Sequence, residues 1–261
     1  MNPFENLKHE VEIVLQSVSS NSMYGPITTF TPYIILILIV VAVIVFSAKS
    51  RLTLVPKNRF VGAIEFFVDF TQKQIGENIL GDKARQHMPF LLTLFLFILV
   101  SNLVGLIPGS KAATGTMGTT FALAVISFGY FTYQGVKQKG GLHYVVSLAP
   151  KGIILPLAVF IWFLEFISMV MRLLTLSVRL FANMFAGHLI IGVLAVLTTL
   201  FVEPFIQTLS LDALPLSFAG LGWLLLLVVL YALEVFVAFL QAYIFTLLSG
   251  FYINMATADE H

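Results

Sequence analysis

Cysteine is absent from this 261-residue chain, which excludes disulfides, thiolate nucleophiles and thiolate metal sites and leaves the redox compartment unread. Charge is scarce as well: Asp, Glu, Lys and Arg make up 10% of the residues, against 59% hydrophobic. Globular domains usually carry roughly 25% charged and 45–50% apolar residues. The few charges nearly cancel, leaving a net charge of +1, so there is no basic footprint for nucleic acid. The chain also lacks a P-loop, a G-x-G-x-x-G turn, an H-E-x-x-H helix and a G-x-S-x-G elbow. Any nucleotide chemistry therefore belongs to a partner. No repeat of fixed period stands out, which weighs against the inverted-repeat transporter folds. The opening stretch "MNPFENLKHEVEIVLQ" has no basic region followed by an apolar one. It reads as a short acidic, half-amphipathic segment and not as a cleavable signal peptide.

What the chain has instead is long apolar runs and a mean hydropathy of +0.98, the mark of an all-α integral membrane protein with several spans. Residues 27–48, "ITTFTPYIILILIVVAVIVFSA", suffice for a first transmembrane helix, which needs roughly 20 residues. Lys49, Arg51, Lys57 and Arg59 follow, a basic cluster that places this end in the cytoplasm and the N-terminus outside. Over residues 58–80, Phe60, Ile64, Phe67 and Val68 recur at helical spacing while Glu65, Asp69 and Lys73 break any span. That pattern predicts an amphipathic helix on the cytoplasmic surface. Residues 88–136 form a transmembrane hairpin whose connecting loop holds only Lys111 as a charge, and "KQKGG" after it is basic again. From residue 150 to 256 the chain reads as two long helices. Leu157 to Ala186 contains no Gly or Pro, and the apolar pattern runs from Gly152 to Val202. A helix of that length reaches about 75 Å, far beyond a hydrocarbon core of about 30 Å, so steep tilt is expected. The loop between the two helices carries Glu203 and Asp212 but no Lys or Arg, as an outside loop should. Parity then leaves the C-terminus inside. The whole chain, 1–261, reads as a single membrane domain.

Polar residues concentrate on the two long helices. Glu165, Arg172 and Arg179 are spaced seven apart, and seven residues turn about 700°, so they share one stripe with Ser168, Thr175 and Asn183 nearby. His188, nine residues beyond Arg179, faces roughly the other way. On the second helix Glu234 and Gln241 are again seven apart, with Tyr231 beside them. Arg172 lies near enough to a helix end to snorkel, whereas Arg179 has Leu and Phe on both sides. Glu165 sits about 10 Å along the axis from Arg172, which the spacing alone reads as too far for a direct pair. Isolated His188 or Gln241 would be open to a role as hydrogen-bond glue between helices. Together, intramembrane ionisable residues mark an ion or proton path. Glu165, His188 and Glu234 can titrate. Arg179 cannot, which leaves it the role of a fixed charge.

At "SVRLFANMFAGH" and "LEVFVAFLQAYIF", with "SNLVGLIPG" earlier, the chain resembles subunit a of the F-type ATP synthase over nearly its whole length. That resemblance implies one transmembrane helix, a surface helix, a transmembrane hairpin and a tilted hairpin against a rotor ring. It aligns Arg179 with the family's essential arginine, and Asn183 and Gln241 with its polar neighbours. Glu165 and Ser168 fall in the cytoplasmic half-channel, with Arg172 on the same stripe. His188 and Glu234 fall in the outer half-channel, with acid and imidazole exchanged relative to some members. The implied role is a non-catalytic subunit with two offset half-channels that load and unload protons on a rotor carboxylate, and a fixed arginine against short circuit. The implied partners are the ring of small c-type hairpin subunits, peripheral-stalk b-type subunits, the remaining subunits and the lipid bilayer. No nucleic acid, cofactor or metal is implied. The expected location is a bacterial inner membrane or, alternatively, the mitochondrial inner membrane. Proton versus sodium use, ring size and direction stay open. A stand-alone transporter with the same relay residues would need broken helices at mid-membrane, against the unbroken Leu157–Ala186 run. A scaffold would conduct nothing in any complex.

Overall fold

A computed structural model describes residues 11–12, 22–24, 27–51, 59–107, 109–141, 144, 154–208 and 214–258. A small antiparallel hairpin, β1 (Ser22–Tyr24) and β2 (Ile27–Thr28), precedes α1 (Thr31–Arg51). The first helix thus begins at Thr31 and not at residue 27. The Thr31 hydroxyl accepts from the Thr28 N–H at 3.1 Å, and Pro32 occupies the first turn, where its missing N–H costs no bond. Next come α2 (Arg59–Thr71), which continues as a π-helical segment Gln72–Leu80, then α3 (Ala84–Gly105) and α4 (Met117–Lys139). Two long helices close the chain: α5, Leu155–Thr208, with 54 residues, and α6, Leu214–Thr257, with 44. At 1.5 Å per residue α5 is about 80 Å long. The side chains of Lys49, Arg51, Arg59, Glu203 and Asp212, the whole of Lys57, and the last three residues lie outside the described residues.

Among the described residues three helices are long and apolar enough to cross a membrane: α3, Pro156–Val202 of α5 and Gly220–Thr257 of α6, with Thr31–Phe46 a shorter apolar stretch. The expected second arm of the transmembrane hairpin, α4, has 23 residues but falls short in composition. Its polar side chains explain this. Thr120, Ala124, Ser127, Phe131 and Gly135 form its buried face, so two hydroxyls that lower its hydropathy are spent on helix packing. Large apolar side chains stay exposed along α1, α5 and α6, among them Phe46, Val159, Leu225 and Phe236, as a lipid- or partner-covered protein requires.

The chain folds as two compact units. One comprises Met1–Leu36, Ser101–Thr116 and Phe181–Leu240; the other comprises Ile37–Val100, Met117–Leu180 and Gln241–His261. In the second unit, Ile75, Leu91, Phe131, Met169 and Ile253 belong to one apolar core. Rings of Phe67 and Phe70 meet Phe95, and Phe70 meets Tyr243 at 5.5 Å. Hydroxyl pairs join its helices: Ser127 donates to Ser249 at 2.8 Å, and Thr120 lies 3.3 Å from Ser177. The lysine of the exposed Lys73–Asp69 pair on the amphipathic segment has its proton affinity raised by its hydrogen bond to Asp69, a contact of the kind that adds little stability.

In the first unit the α3–α4 loop is held by a buried polar network. Thr114 Oγ1 donates to Asn102 Oδ1 at 2.6 Å, Ser101 Oγ accepts from the Thr114 N–H at 3.1 Å, and Asn102 Nδ2 donates to the Ala238 carbonyl of α6 at 3.3 Å. Gly109 turns the loop at φ 84°, and its carbonyl accepts from Tyr33 Oη at 3.2 Å. Gly105 is needed where α3 meets the returning loop, since a Cβ there would lie 2.9 Å from the Ala112 Cα. Gly220 gives α6 the same freedom against Phe201 and Val202 of α5. Asn102→Ala strips buried partners from Thr114 and Ala238, and should cost about 1–3 kcal/mol. Thermal unfolding of the detergent-solubilised protein should show a lowered midpoint; an unchanged one means the network does not hold the loop.

Candidate functional site

One group of candidate residues lies on the part of α5 within the second unit. Arg172 Nη2 stands 2.9 Å from Glu165 Oε1, a direct ion pair. This overturns the expectation that two helical turns separate them too far. Axial distance between backbones does not limit two long side chains on one stripe, and helical side chains lean back towards the N-terminus, which carries Arg172 towards Glu165. The Arg172 guanidinium also lies over the Tyr252 ring, 5.6 Å from its centroid. Thr175 donates to the carbonyl of Met171 on its own helix. Ser168 is half-buried.

Arg179 differs from Arg172. It is exposed, while Leu176, Ser177 and Leu180 around it are buried, and it makes no hydrogen bond or ion pair among the described residues. Gln241, on α6 in the same unit, is half-buried.

A separate group lies in the first unit. Glu234, 9% exposed, sets its carboxylate against Gly187: a Cβ on that glycine would come within 2.5 Å of the Glu234 Cδ and 2.6 Å of Oε2. Gly187 is the chain neighbour of His188, so the α5–α6 contact sets the acid against the residue next to the imidazole. His188 lines a cavity of about 280 Å³ with Tyr231 of α6 and Ser110 and Lys111 of the α3–α4 loop. Tyr231 is one turn before Glu234. Asn183 Nδ2, His188 Nε2 and Glu234 Oε2 are buried without a hydrogen-bond partner among the described residues. Buried polar atoms are nearly always paired with protein or water, so these atoms, like Thr132 Oγ1 elsewhere in the chain, have room for water or a partner to meet them. Among the described residues no three His, Asp or Glu side chains come together as a metal site.

Sequence reasoning missed Gly187 and gave Lys111 no role. Neither has a polar motif of its own; only the α5–α6 approach and the loop fold reveal them. Lys111 donates to Thr29 Oγ1 at 3.2 Å and lies over the Phe30 ring, 4.9 Å from the centroid. Partial burial holds its proton affinity below the usual lysine value.

The long apolar helices define an all-α membrane protein that carries ionisable side chains on its two longest helices. A family model described as ATP synthase A chain matches residues 30–254. Proteins named ATP synthase subunit a are similar to this chain: one from Nocardioides sp. is 37% identical over 232 residues, covering 87% of this chain and 81% of its own. Another, from Wolbachia sp. subsp. Brugia malayi, is 36% identical over 258 residues and 98% of both chains. A third, from Chlorobium phaeobacteroides, is 32% identical over 254 residues, 95% of this chain and 70% of its own. The chain belongs to the ATP synthase A chain family.

Gly187→Ala drives a methyl into the Glu234 carboxylate and should cost about 1–3 kcal/mol by overpacking. Combined with Glu234→Ala, most of that cost should vanish. A double-mutant cycle on thermal stability with no coupling would remove the contact.

Proposed function

We propose that this chain is the stator subunit of the membrane sector of an ATP synthase, working with the other subunits and passing protons to and from the rotor carboxylates of a c-type ring, with b-type subunits holding it still. The N-terminus lies outside and the C-terminus in the cytoplasm of a bacterial inner membrane. Protons enter from outside through the cavity at His188, pass Glu234 and reach a ring carboxylate. After nearly a full rotation they leave past Ser168 and Glu165. Asn183 and Gln241 offer polar side chains beside the barrier.

One observation carries this reading: Arg179 presents a guanidinium on an apolar helix with no ion pair or hydrogen bond among the described residues. A membrane-embedded charge needs a counter-charge or water, and this chain supplies neither a carboxylate nor a hydrogen-bond acceptor for it among the described residues. The missing partner is therefore a carboxylate that arrives from another subunit. Arg172 is not available for that task, because Glu165 already neutralises it.

The energies are matched. A proton falling through about 150 mV carries roughly 3.5 kcal/mol, at about 2.3 kcal/mol per 100 mV. A carboxylate about 4 Å from Arg179 is attracted by roughly 4 kcal/mol at an effective dielectric near 20. The arginine draws the ring carboxylate into its ionised form, yet the gradient and thermal motion can part them. Being unable to release its proton, it also blocks direct passage between the two paths.

Arg179→Ala should abolish coupled synthesis and ATP-driven pumping with the complex assembled, and Arg179→Lys should fail nearly as badly. Arg172→Ala should be milder, and Glu165→Gln should slow flux without loss of assembly. Pumping and synthesis in membrane vesicles at matched complex levels decide this. An active Arg179→Ala beside a dead Arg172→Ala would reassign the central charge.

A further inference from the structure

We propose that Lys111 is a specificity-determining residue of the entry step: its fixed positive charge in the wall of the His188 cavity keeps metal cations out of the proton path. The proposal rests on the reading of that cavity as the outer entry. The cavity of about 280 Å³ is lined mostly by apolar side chains, with Ser110, Lys111, His188 and Tyr231 as its polar side chains and no carboxylate in its wall among the described residues. Lys111 is not a loose surface lysine. Thr29 Oγ1 at 3.2 Å and the face of Phe30, 4.9 Å to its centroid, hold the ammonium in place. It has no ion-pair partner among the described residues, so its charge is not cancelled locally.

Glu234, packed against Gly187 next to His188 in the chain, is a buried acid whose Oε2 has no hydrogen-bond partner among the described residues. Such an acid attracts any cation, and selectivity against metal ions has to come from elsewhere. A lysine facing a small, poorly screened cavity supplies it, as basic side chains do in pores that refuse cations. Protons escape the penalty differently from metal ions. They hop along water to a covalent acceptor, whereas a metal ion has to bring its whole charge inside and find several oxygen ligands there.

The test uses the assembled complex in everted membrane vesicles whose lumen, facing the outer path, is loaded with choline, sodium or potassium chloride. ATP-driven proton pumping by the wild-type complex should be indifferent to the cation. For Lys111→Gln, sodium and potassium should inhibit in a concentration-dependent way while choline does not, from the loss of one nearby charge. Lys111→Glu should be inhibited at lower concentrations still, and Lys111→Arg should restore indifference. A uniform loss of rate in Lys111→Gln and Lys111→Glu, the same in all three salts, would mean that Lys111 only pins the loop, and overturns the proposal. Inhibition of the wild type by either metal cation overturns it too. His188→Ala and Glu234→Gln measured alongside separate the two ideas: normal pumping by both would refute the entry path itself, whatever Lys111 does.

Discussion

Hydrocarbon offers a polar group nothing to bind, so each one in a membrane chain has to be met by protein, by water or by a partner. The side chains here divide along that line. Ser127 with Ser249, Thr120 with Ser177, and Asn102 with Thr114 and Ala238 are met inside the chain, and they hold helices and loop together. Glu165 and Arg172 meet each other. Asn183, His188 and Glu234 have buried atoms left unmet, and Arg179 has no partner among the described residues. The satisfied groups build the scaffold. Apart from Thr132, whose hydroxyl is also buried without a partner among the described residues, the unsatisfied ones are residues of the proposed path.

The long helices are what allow these groups to act at fixed places. Within the 54 residues of α5, Glu165, Arg172 and Arg179 fall in the second unit, and Asn183 and His188 in the first. Along a rod, spacing is set by the 1.5 Å rise and not by loop geometry. Close approach of α6 then depends on glycine. Gly187 makes room for the Glu234 carboxylate and Gly220 for Phe201 and Val202. Small residues bring membrane helices together because lipid gives no hydrophobic drive for it.

Much of this was legible in the sequence, for definite physical reasons. Apolar runs without Gly or Pro give long helices, and the seven-residue spacing of Glu165, Arg172 and Arg179 gives a stripe, because both follow from local geometry. The helices at 155–208 and 214–257 lie where those runs lie. What escaped was side-chain detail and contacts between distant segments. The start of α1 depends on a hydrogen bond from the Thr28 N–H to the Thr31 hydroxyl. The seat of Glu234 on Gly187 and the place of Lys111 in the cavity wall depend on contacts between segments far apart in the chain. The Glu165–Arg172 pair was missed because backbone spacing was taken for side-chain reach. The composition of α4 misleads in another way, since its hydroxyls face neighbouring helices and its hydropathy understates how well it is buried.

The same stripe also explains why two arginines seven residues apart end in different states. Seven residues before Arg172 stands a carboxylate, and the arginine leans back onto it. Seven residues before Arg179 stands Arg172, a like charge already engaged, and four residues after it stands Asn183, which is neutral. No acid occupies the stripe within reach of Arg179. Had one stood at either place, the central guanidinium would be neutralised within its own helix, with no attraction left for a carboxylate passing on another subunit. The repeat that lines up the charges therefore withholds a partner at the one position where an internal partner would defeat the proposed mechanism.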